Sequence, residues 1–327
     1  MGGDNAPAEI VAGAAQAAAE GAHVLLVGRT EPIEKALAEA GASATDRLEI
    51  VEAPDVIAMD DHDPARAIRS KRQSSIGVAS RLVKQGRANA VFSAGSTGAA
   101  LAGAVLETGR IRGVSRPAIA VVLPFPDAPT VLVDAGANAD VRAEHVAGFG
   151  LLGSTFARIR LGLATPRVGL LNVGEEPGKG SELAKAAFLL LESSGLNFIG
   201  NVEGRDIPTD RVDVVVTDGF TGNVALKLLE GFGKFIFEQL MRIFSLDEES
   251  KAAAKVVMPG LLDLASTLSP ETHGGAHLLG VKGVCIIGHG SSNAAAVRAA
   301  VRVASETVEA GLVGEITEAL QGESQGA

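Results

Sequence analysis

One recurring pattern constrains the fold of this chain more than any other feature: an apolar run of strand length, a glycine-rich loop, then a helical pattern. It recurs over residues 89–106, 130–149, 167–191, 212–231 and 283–304, with a further strand and helix at 22–41. Alternating helices and continuous aliphatic strands are typical of a mostly parallel sheet with helices on both faces. Because no fixed-period repeat or low-complexity linker divides the chain, we predict one α/β domain over residues 1–327.

Residues 222–270 depart from that pattern and predict a helical hairpin. The apolar residues that follow helical spacing there are Leu228, Phe232, Phe235, Ile236, Leu240, Ile243 and Phe244. The apolar surface is wider than a single core stripe. The pattern leaves open whether the hairpin is ordinary core, a dimer interface or a contact with a membrane surface.

The charge and hydropathy of the chain limit its partners. A net charge of −10 argues against broad nucleic-acid binding, which depends on neutralising phosphates. No apolar stretch approaches the ~20 residues that span a bilayer, and no basic segment followed by an apolar one opens the chain. The single cysteine, Cys285, lies in the apolar run VCII and is expected to be a buried side chain in a reducing compartment. We therefore expect a cytoplasmic protein.

The one dense basic stretch is ARAIRSKRQSS, which contains Arg66, Arg69 and Arg72. Such a run is either a solvated helix face or a docking surface for an acidic partner.

The glycine-rich loops that follow the predicted strands contain many small hydrogen-bonding residues: Ser93, Ser96, Thr97, Asn138, Thr221, Asn223, Ser291, Ser292 and Asn293. In open parallel sheets, ligands bind beyond the carboxyl ends of the strands, where helix N-termini present free amide groups to anions. The same residue types also cap helices. Their recurrence in five loops favours a site for phosphate or a similar anion.

Two side chains in these loops can take part in chemistry. Lys179 is a cation in a glycine-flanked loop, where it either reaches an anion or polarises a carbonyl, or simply faces solvent in a turn. His289 is held between glycines directly after an apolar strand, a place suited to proton transfer, to hydrogen bonding of an anion, or to a capping role.

The signatures of nucleotide, metal and covalent catalysis are missing from the sequence. GEEPGKGS departs from the P-loop spacing, and no G-x-G-x-x-G follows a first strand. His273 and His277 are four residues apart, but the two glycines between them disfavour an aligning helix. The strand-end carboxylates Asp4, Asp134 and Asp218 either hold Mg²⁺ or, as we expect, stabilise turns. No nucleophile elbow is found, so attack by a bound nucleophile is favoured over an acyl-enzyme. We expect no metal and no cofactor.

Eight stretches together resemble the PlsX family of phosphate acyltransferases of bacterial phospholipid synthesis. In chain order they are MGGDNAP, DDHDPARAIRSKRQSS, SAGSTGA, DAGAN, LLNVGEEPGKG, NFIGNVEGRDI, VTDGFTGNVALK and GGAHLLGVKGVCIIGHGSS. The resemblance runs from residue 1 to about residue 293 and implies a reaction: acyl-(acyl carrier protein) and inorganic phosphate give acyl phosphate and free carrier protein. Competing hypotheses are a phosphotransacetylase-like enzyme that uses acyl-CoA and a catalytically inactive scaffold on a membrane surface.

The resemblance also implies an architecture. The family fold is a three-layer α/β/α sandwich related to isocitrate and isopropylmalate dehydrogenases and to phosphotransacetylases. Its members are homodimers with packed helical hairpins, and they associate peripherally with the inner face of the cell membrane, near the membrane-bound glycerol-3-phosphate acyltransferase. The family's first motif is usually a short strand ending in Asp-Ala-Met-Gly-Gly-Asp, whereas this sequence begins at that methionine, so we expect that strand to be absent.

The mechanism expected on this basis needs an anion pocket and a few polar groups. His289, with Ser291 and Ser292 on the following helix N-terminus, is predicted to position or deprotonate phosphate. Lys179 and Asn223 are predicted to stabilise phosphate or the oxyanion. Gly95, Ser96, Thr97 and Asn138 are predicted to complete the pocket. Arg66, Arg69 and Arg72 are the predicted docking patch for the acidic carrier protein.

Overall fold

The alternation of strands and helices expected from the sequence is present in the computed structural model of the chain, which describes residues 1–268 and 274–326. The strands are β1 (Val24–Gly28), β2 (Leu48–Glu52), β3 (Ala90–Ser93), β4 (Ala118–Leu123), β5 (Thr130–Val133), β6 (Val168–Leu171), β7 (Phe198–Val202), β8 (Val214–Val216), β9 (Ala276–Leu279) and β10 (Val284–Ile287).

The α-helices connect and cover these strands. They are α1 (Ala8–Ala19), α2 (Thr30–Glu39), α3 (Pro64–Ser70), α4 (Ser75–Lys84), α5 (Thr97–Gly103), α6 (Ala143–Leu161), α7 (Glu182–Glu192), α8 (Gly219–Phe244), α9 (Glu248–Leu268), α10 (Ala294–Glu309) and α11 (Leu312–Gly326). A π-helical turn, Ala104–Thr108, extends α5.

Among the described residues, the main sheet has eight strands in the order β3-β10-β9-β4-β5-β8-β6-β7, and β1 and β2 form a separate parallel pair. Within the main sheet β10 is parallel to β3, and β8 is parallel to both β5 and β6. The central strands are antiparallel, because β9 runs opposite to β10 and β4, and β4 runs opposite to β5. The sheet therefore contains two parallel groups, β3-β10 and β5-β8-β6-β7, whose strands point in opposite directions, with β9 and β4 between them.

Alternate residues of the central strands enter two cores on opposite faces of the sheet, as period-2 strand geometry requires. On β5, Val131 and Val133 pack with α6 and α11, whereas Leu132 packs on the face that carries α4, α5 and α8. The three-layer α/β/α sandwich predicted from the sequence is confirmed.

The predicted helical hairpin corresponds to α8 and α9. Helix α8 begins at Gly219, earlier than the predicted residue 222, because the Asp218 side chain caps it by accepting from the Thr221 amide at 2.9 Å. Beyond Leu226, none of the described residues of α8 is buried, and Phe232, Leu246 and Val256 are 59%, 75% and 80% exposed. No described helix combines the length and hydropathy that crossing a bilayer requires. Residues 269–270 of the predicted hairpin, and His273, lie outside the described residues.

A cavity of about 620 Å³ separates the β1–β2 pair from the edge of the main sheet. It is lined by Val24–Val27 of β1 and Ala90–Ser93 of β3, with α1, α4 and α10 around them. Among the described residues, β1 pairs only with β2 and β3 only with β10, so each strand turns an unpaired edge to the cavity.

Candidate active site

His289 lies in the loop between β10 and α10 and is exposed. Its Nδ1 is 2.8 Å from Ser291 Oγ and 3.4 Å from the Ser291 amide nitrogen, which donates to it. Ser292 is buried, and its hydroxyl donates to the His289 carbonyl oxygen at 2.6 Å. Because Nδ1 is held by its own loop, Nε2 is the ring atom left without a partner among the described residues.

The N-terminus of α10 is capped from within the protein. The Ala294 amide donates to Glu9 Oε2 at 2.7 Å, and the Ala296 amide donates to Asn293 Oδ1 at 2.9 Å. Asn293 is the capping residue, so Ser291 and Ser292 lie directly before the first turn of the helix. Since a carboxylate already binds the Ala294 amide, this helix end has less capacity for phosphate than the sequence pattern suggested.

Two further loops lie beside the loop that contains His289. The Asp4 amide donates to the Gly290 carbonyl at 2.8 Å, and Asn5 Nδ2 donates to the Ser291 carbonyl at 3.1 Å. A Cβ on Gly95 would lie 2.9 Å from the Gly2 carbonyl oxygen, so this backbone approach needs glycine. We call His289, Ser291, Gly95, Ser96 and Thr97 the His289 cluster. Asp4 and Asn5 were not predicted as supports of this cluster, although MGGDNAP has the same glycine-rich character as the loops predicted to bind an anion.

The predicted docking patch adjoins this cluster. Helix α3 packs on α5, whose first residue is Thr97, and a Cβ on Gly98 would lie 2.7 Å from Pro64 Cγ. Arg66, Arg69 and Arg72 are exposed, and within residues 1–268 and 274–326 none of them forms an ion pair.

Asn138 lies elsewhere, in the loop after β5, and is buried. Its Nδ2 donates to both the Pro117 carbonyl and Asp134 Oδ2, each at 2.8 Å. Both amide hydrogens are therefore used inside the protein, and the side chain has none left to donate to a phosphate.

Asn223 is exposed in the first turns of α8, next to that loop. A Cβ on Gly136 would lie 3.5 Å from Asn223 Oδ1, so the asparagine side chain packs over the Gly136 backbone. Gly136 has a φ of 139°, a conformation that favours glycine.

Hydrogen bonds from Asn172 and Asn201 hold the backbone of the loop that contains Lys179. Asn172 Nδ2 donates to the Lys179 carbonyl at 3.0 Å, and Asn201 Nδ2 donates to the Glu176 carbonyl at 2.8 Å. Glu175 is bound by Arg211 at 2.7 Å. Lys179 is exposed and forms no ion pair with any described residue, which leaves its ammonium group available to an anion.

The predicted site residues lie in two groups, at the two opposite ends of the strands of the main sheet. The His289 cluster follows the carboxyl ends of β3 and β10, whereas Asn138, Asn223 and Lys179 follow those of β5, β8 and β6, which point the opposite way. The two groups are therefore separated by about the length of a strand, and even the four-residue strand β10 is roughly 13 Å long. Within one chain the two groups do not form the single pocket that the sequence analysis expected, because the antiparallel strands β9, β4 and β5 reverse the sheet.

Burial decides the roles of the remaining titratable candidates. Cys285 is buried as predicted, and burial raises its pKa to about 12. His277 is buried on β9, where burial and then Arg160 lower its pKa to about 3. Asp218 has the predicted turn-stabilising role at the start of α8. The described residues contain no group of three or more His, Cys, Asp or Glu side chains placed to hold a metal ion.

The family whose sequence model matches residues 1–314 is described as "Fatty acid synthesis protein". A phosphate acyltransferase from Desulfitobacterium hafniense (strain DSM 10664 / DCB-2) is 47% identical over 322 residues, which cover 98% of this chain and 96% of the relative. One from a Nostoc species (strain PCC 7120) is 46% identical over 313 residues, covering 94% and 91%. The chain belongs to the PlsX phosphate acyltransferase family.

Two solved structures of low sequence identity have a fold similar to that of this chain. A phosphotransacetylase from Streptococcus pyogenes superposes with a TM-score of 0.62 at 16% identity, covering 93% of this chain and 92% of that one. A 4-hydroxythreonine-4-phosphate dehydrogenase from Klebsiella pneumoniae gives 0.54 at 14% identity, covering 91% and 94%. At these identities the likeness concerns the fold alone.

Proposed function

We propose that this protein transfers an acyl group from acyl-(acyl carrier protein) to inorganic phosphate. A phosphate oxygen forms a bond to the thioester carbonyl carbon, the carbon–sulfur bond breaks, and the carrier sulfur takes up a proton. The products are acyl phosphate and the free carrier thiol, the first step toward phosphatidic acid. The observation that carries the proposal is family membership over nearly the whole chain together with the exposed His289 cluster.

The reaction requires little from the protein beyond substrate binding and stabilisation of charge, because phosphate is already an anionic nucleophile at neutral pH. The Ser291 amide donates to Nδ1 of His289, so the neutral ring holds its proton on Nε2. An Nε2–H group is a donor for a phosphate oxygen, and it would hold that phosphate against the thioester. Lys179 and Asn223 would supply positive charge and an amide donor to the oxyanion.

This mechanism requires a homodimer in which His289 of one chain meets Lys179 and Asn223 of the other, because the two groups lie at opposite sheet edges within one chain. The exposed apolar residues of α8, the helix that begins beside Asn223, support such an interface.

Mixed dimers test this arrangement directly. His289→Ala and Asn223→Ala chains, tagged differently and co-expressed, would each have strongly reduced turnover alone, but the purified mixed dimer would contain one intact site if the two groups come from different chains. A mixed dimer with no more activity than its parents would contradict the composite site.

We also propose that α8 and α9 bring the protein to the inner face of the cell membrane, where acyl phosphate would pass to the membrane-bound glycerol-3-phosphate acyltransferase. The exposed side chains of Leu246 and Val256 support this contact. Leu246→Asp with Val256→Asp should abolish co-sedimentation with anionic phospholipid vesicles. Val173→Asp is the matched control, since Val173 is 79% exposed outside the hairpin.

The decisive assay mixes the purified protein with palmitoyl-carrier protein and measures release of the carrier thiol with and without phosphate. Because Cys285 is buried, the folded enzyme should add no thiol signal of its own. Phosphate-dependent release supports the proposed reaction. Equal or faster release from palmitoyl-CoA would favour a phosphotransacetylase-like enzyme, and vesicle binding without release would favour the scaffold.

A further inference from the structure

A buried carboxylate organises the loop beside Asn223. Asp134 follows β5 and is 0% exposed. Oδ1 accepts from the amides of Ile119, Gly136 and Ala137 at 3.0, 3.1 and 2.9 Å. Oδ2 accepts from Asn138, from its amide and from its Nδ2, each at 2.8 Å. Among the described residues every hydrogen-bond partner of this carboxylate is an amide, and none is a cation.

Burying a carboxylate is unfavourable unless hydrogen bonds replace its water. Burial raises the pKa of Asp134, and the hydrogen bonds from Ala137, Asn138, Ile119 and Gly136 act in the opposite direction. Because all of these partners donate, they stabilise the ionised carboxylate and fix the loop 136–138 around it.

The loop that Asp134 fixes is in direct contact with the start of α8. The Asn138 carbonyl accepts from the Gly219 amide at 2.8 Å. A Cβ on Gly219 would lie 2.7 Å from the Asn138 amide nitrogen and 2.8 Å from Asp134 Oδ2, so the helix start and the loop leave no room between them. Asn223 packs over Gly136 on the same side.

We propose that Asp134 is a positioning residue that sets the loop 136–138 and, through it, the first turns of α8 with Asn223. The proposal rests on the proposed function only for the role of Asn223; the coupling between the loop and α8 stands apart from it. Asp134 has no contact with substrate in this role, and its effect on turnover passes through Asn223.

The test is a double-mutant cycle. Asp134→Asn turns an NH₂ group toward backbone amides that also donate, so the substitution disrupts the loop although the side chain keeps nearly the same volume. We expect turnover to fall about tenfold or more, with little change in KM for the carrier protein, and we expect Asp134→Asn with Asn223→Ala to be no worse than Asn223→Ala alone. Losses that multiply would overturn the proposal. If Asp134→Asn does not fold, Asn138→Ala replaces it in the same cycle.

The matched control is Asp213→Asn. Asp213 is a half-buried carboxylate bound by Arg167 at 2.8 Å, at the start of β8 and so at the opposite edge from Asp134. Asp213→Asn should lower the free energy of unfolding, and its effect on turnover should be the same with and without Asn223→Ala. A loss of turnover in the control as large as that of Asp134→Asn would reduce the effect to general destabilisation.

Amide hydrogen exchange provides a readout independent of activity. In Asp134→Asn, exchange should rise both at residues 134–138 and at residues 219–226, whereas Asp213→Asn should change neither. A rise confined to residues 134–138 would overturn the proposal even if the wild-type protein releases thiol as expected. A wild-type protein without phosphate-dependent release would instead refute the proposed function, and the exchange data would still decide whether Asp134 holds α8.

Discussion

Nδ1 of His289 lies 2.8 Å from the hydroxyl oxygen of Ser291, and the amide of the same serine donates to it. The ring is thereby oriented with Nε2 outward. His289→Ala should lower turnover at least about 100-fold, the scale of a lost donor to a reacting oxygen, with little change in melting temperature because the side chain is exposed. Rates and thermal unfolding measured on the same sample check this, and parallel losses of both would indicate a structural role.

A conservative substitution separates positioning of phosphate from its deprotonation. His289→Gln keeps an N–H donor but cannot accept a proton, so it should retain more activity than His289→Ala if Nε2–H binds phosphate. Equal loss in the two variants would favour a general base instead.

The basic patch on and after α3 leads to a prediction about salt. Arg69→Glu with Arg72→Glu should raise KM for the acidic carrier protein by about tenfold at low ionic strength and flatten the salt dependence of kcat/KM. Arg116→Glu is the control, since Arg116 is exposed beside the start of β4, away from the patch. A salt dependence unchanged from that of the wild type would refute docking at Arg69 and Arg72.

Local patterns in the sequence predicted local structure well. The spacing of Leu228, Phe232 and Phe235 gives α8, and the apolar run VCII becomes the buried strand β10. The direction of the strands was not predicted, although β4 and β5 are separated only by PFPDAP, a connection too short for a parallel crossover. That signal would have shown that β5 and β4 run in opposite directions, but the position of His289 relative to Asn138 also depends on the antiparallel pairing of β9 with β4 and β10.

The residues that hold the loops of the site were harder to predict from the sequence than the loops themselves. Asp134 was interpreted as a turn residue, and nothing in DAGAN shows that its carboxylate is fully buried and bound by two segments of backbone, Ile119 and residues 136–138, and by the Asn138 side chain. The contact of Glu9, on α1, with the start of α10 is similar, because the Ala294 amide that donates to Glu9 is 285 residues away in sequence. Such contacts depend on tertiary packing, which a pattern of residue types does not encode.

His277 should make the stability of the fold depend on pH. Its Nε2 is 3.4 Å from Thr307 Oγ1, whose own hydrogen is donated to the Val303 carbonyl, so the buried ring donates from Nε2 and is neutral. Its pKa is lowered to about 3, by burial first and then by Arg160, so below about pH 6.5 the unfolded chain binds a proton that the folded chain does not. Its contribution is complete above that pH and is lost as the pH falls toward 3.

The expected loss from this residue is about 1.4 kcal/mol of unfolding free energy between pH 7.5 and pH 5.5. Denaturant unfolding of the wild type and of His277→Gln at both pH values checks it, because the variant lacks the titrating group. The same pH dependence in both proteins would show that other groups are responsible.

The cavity between β1 and β3 leads to a prediction about residues placed before Met1, which lines it. The unpaired strand edges on its two sides offer backbone N–H and C=O groups that an extended segment can satisfy, and the surrounding side chains include Val11, Leu82 and Val297. Five alternating valine and isoleucine residues added before Met1 should raise the melting temperature by about 2 °C or more, since a few new hydrogen bonds and buried side chains contribute at least about 1 kcal/mol.

Five added glycine and serine residues are the control, because they offer the same backbone without apolar burial. If the apolar segment enters the cavity, amide exchange should slow in both β1 and β3. Equal melting temperatures for the two extensions, or slower exchange in only one of the strands, would mean that the cavity does not accept a strand between them.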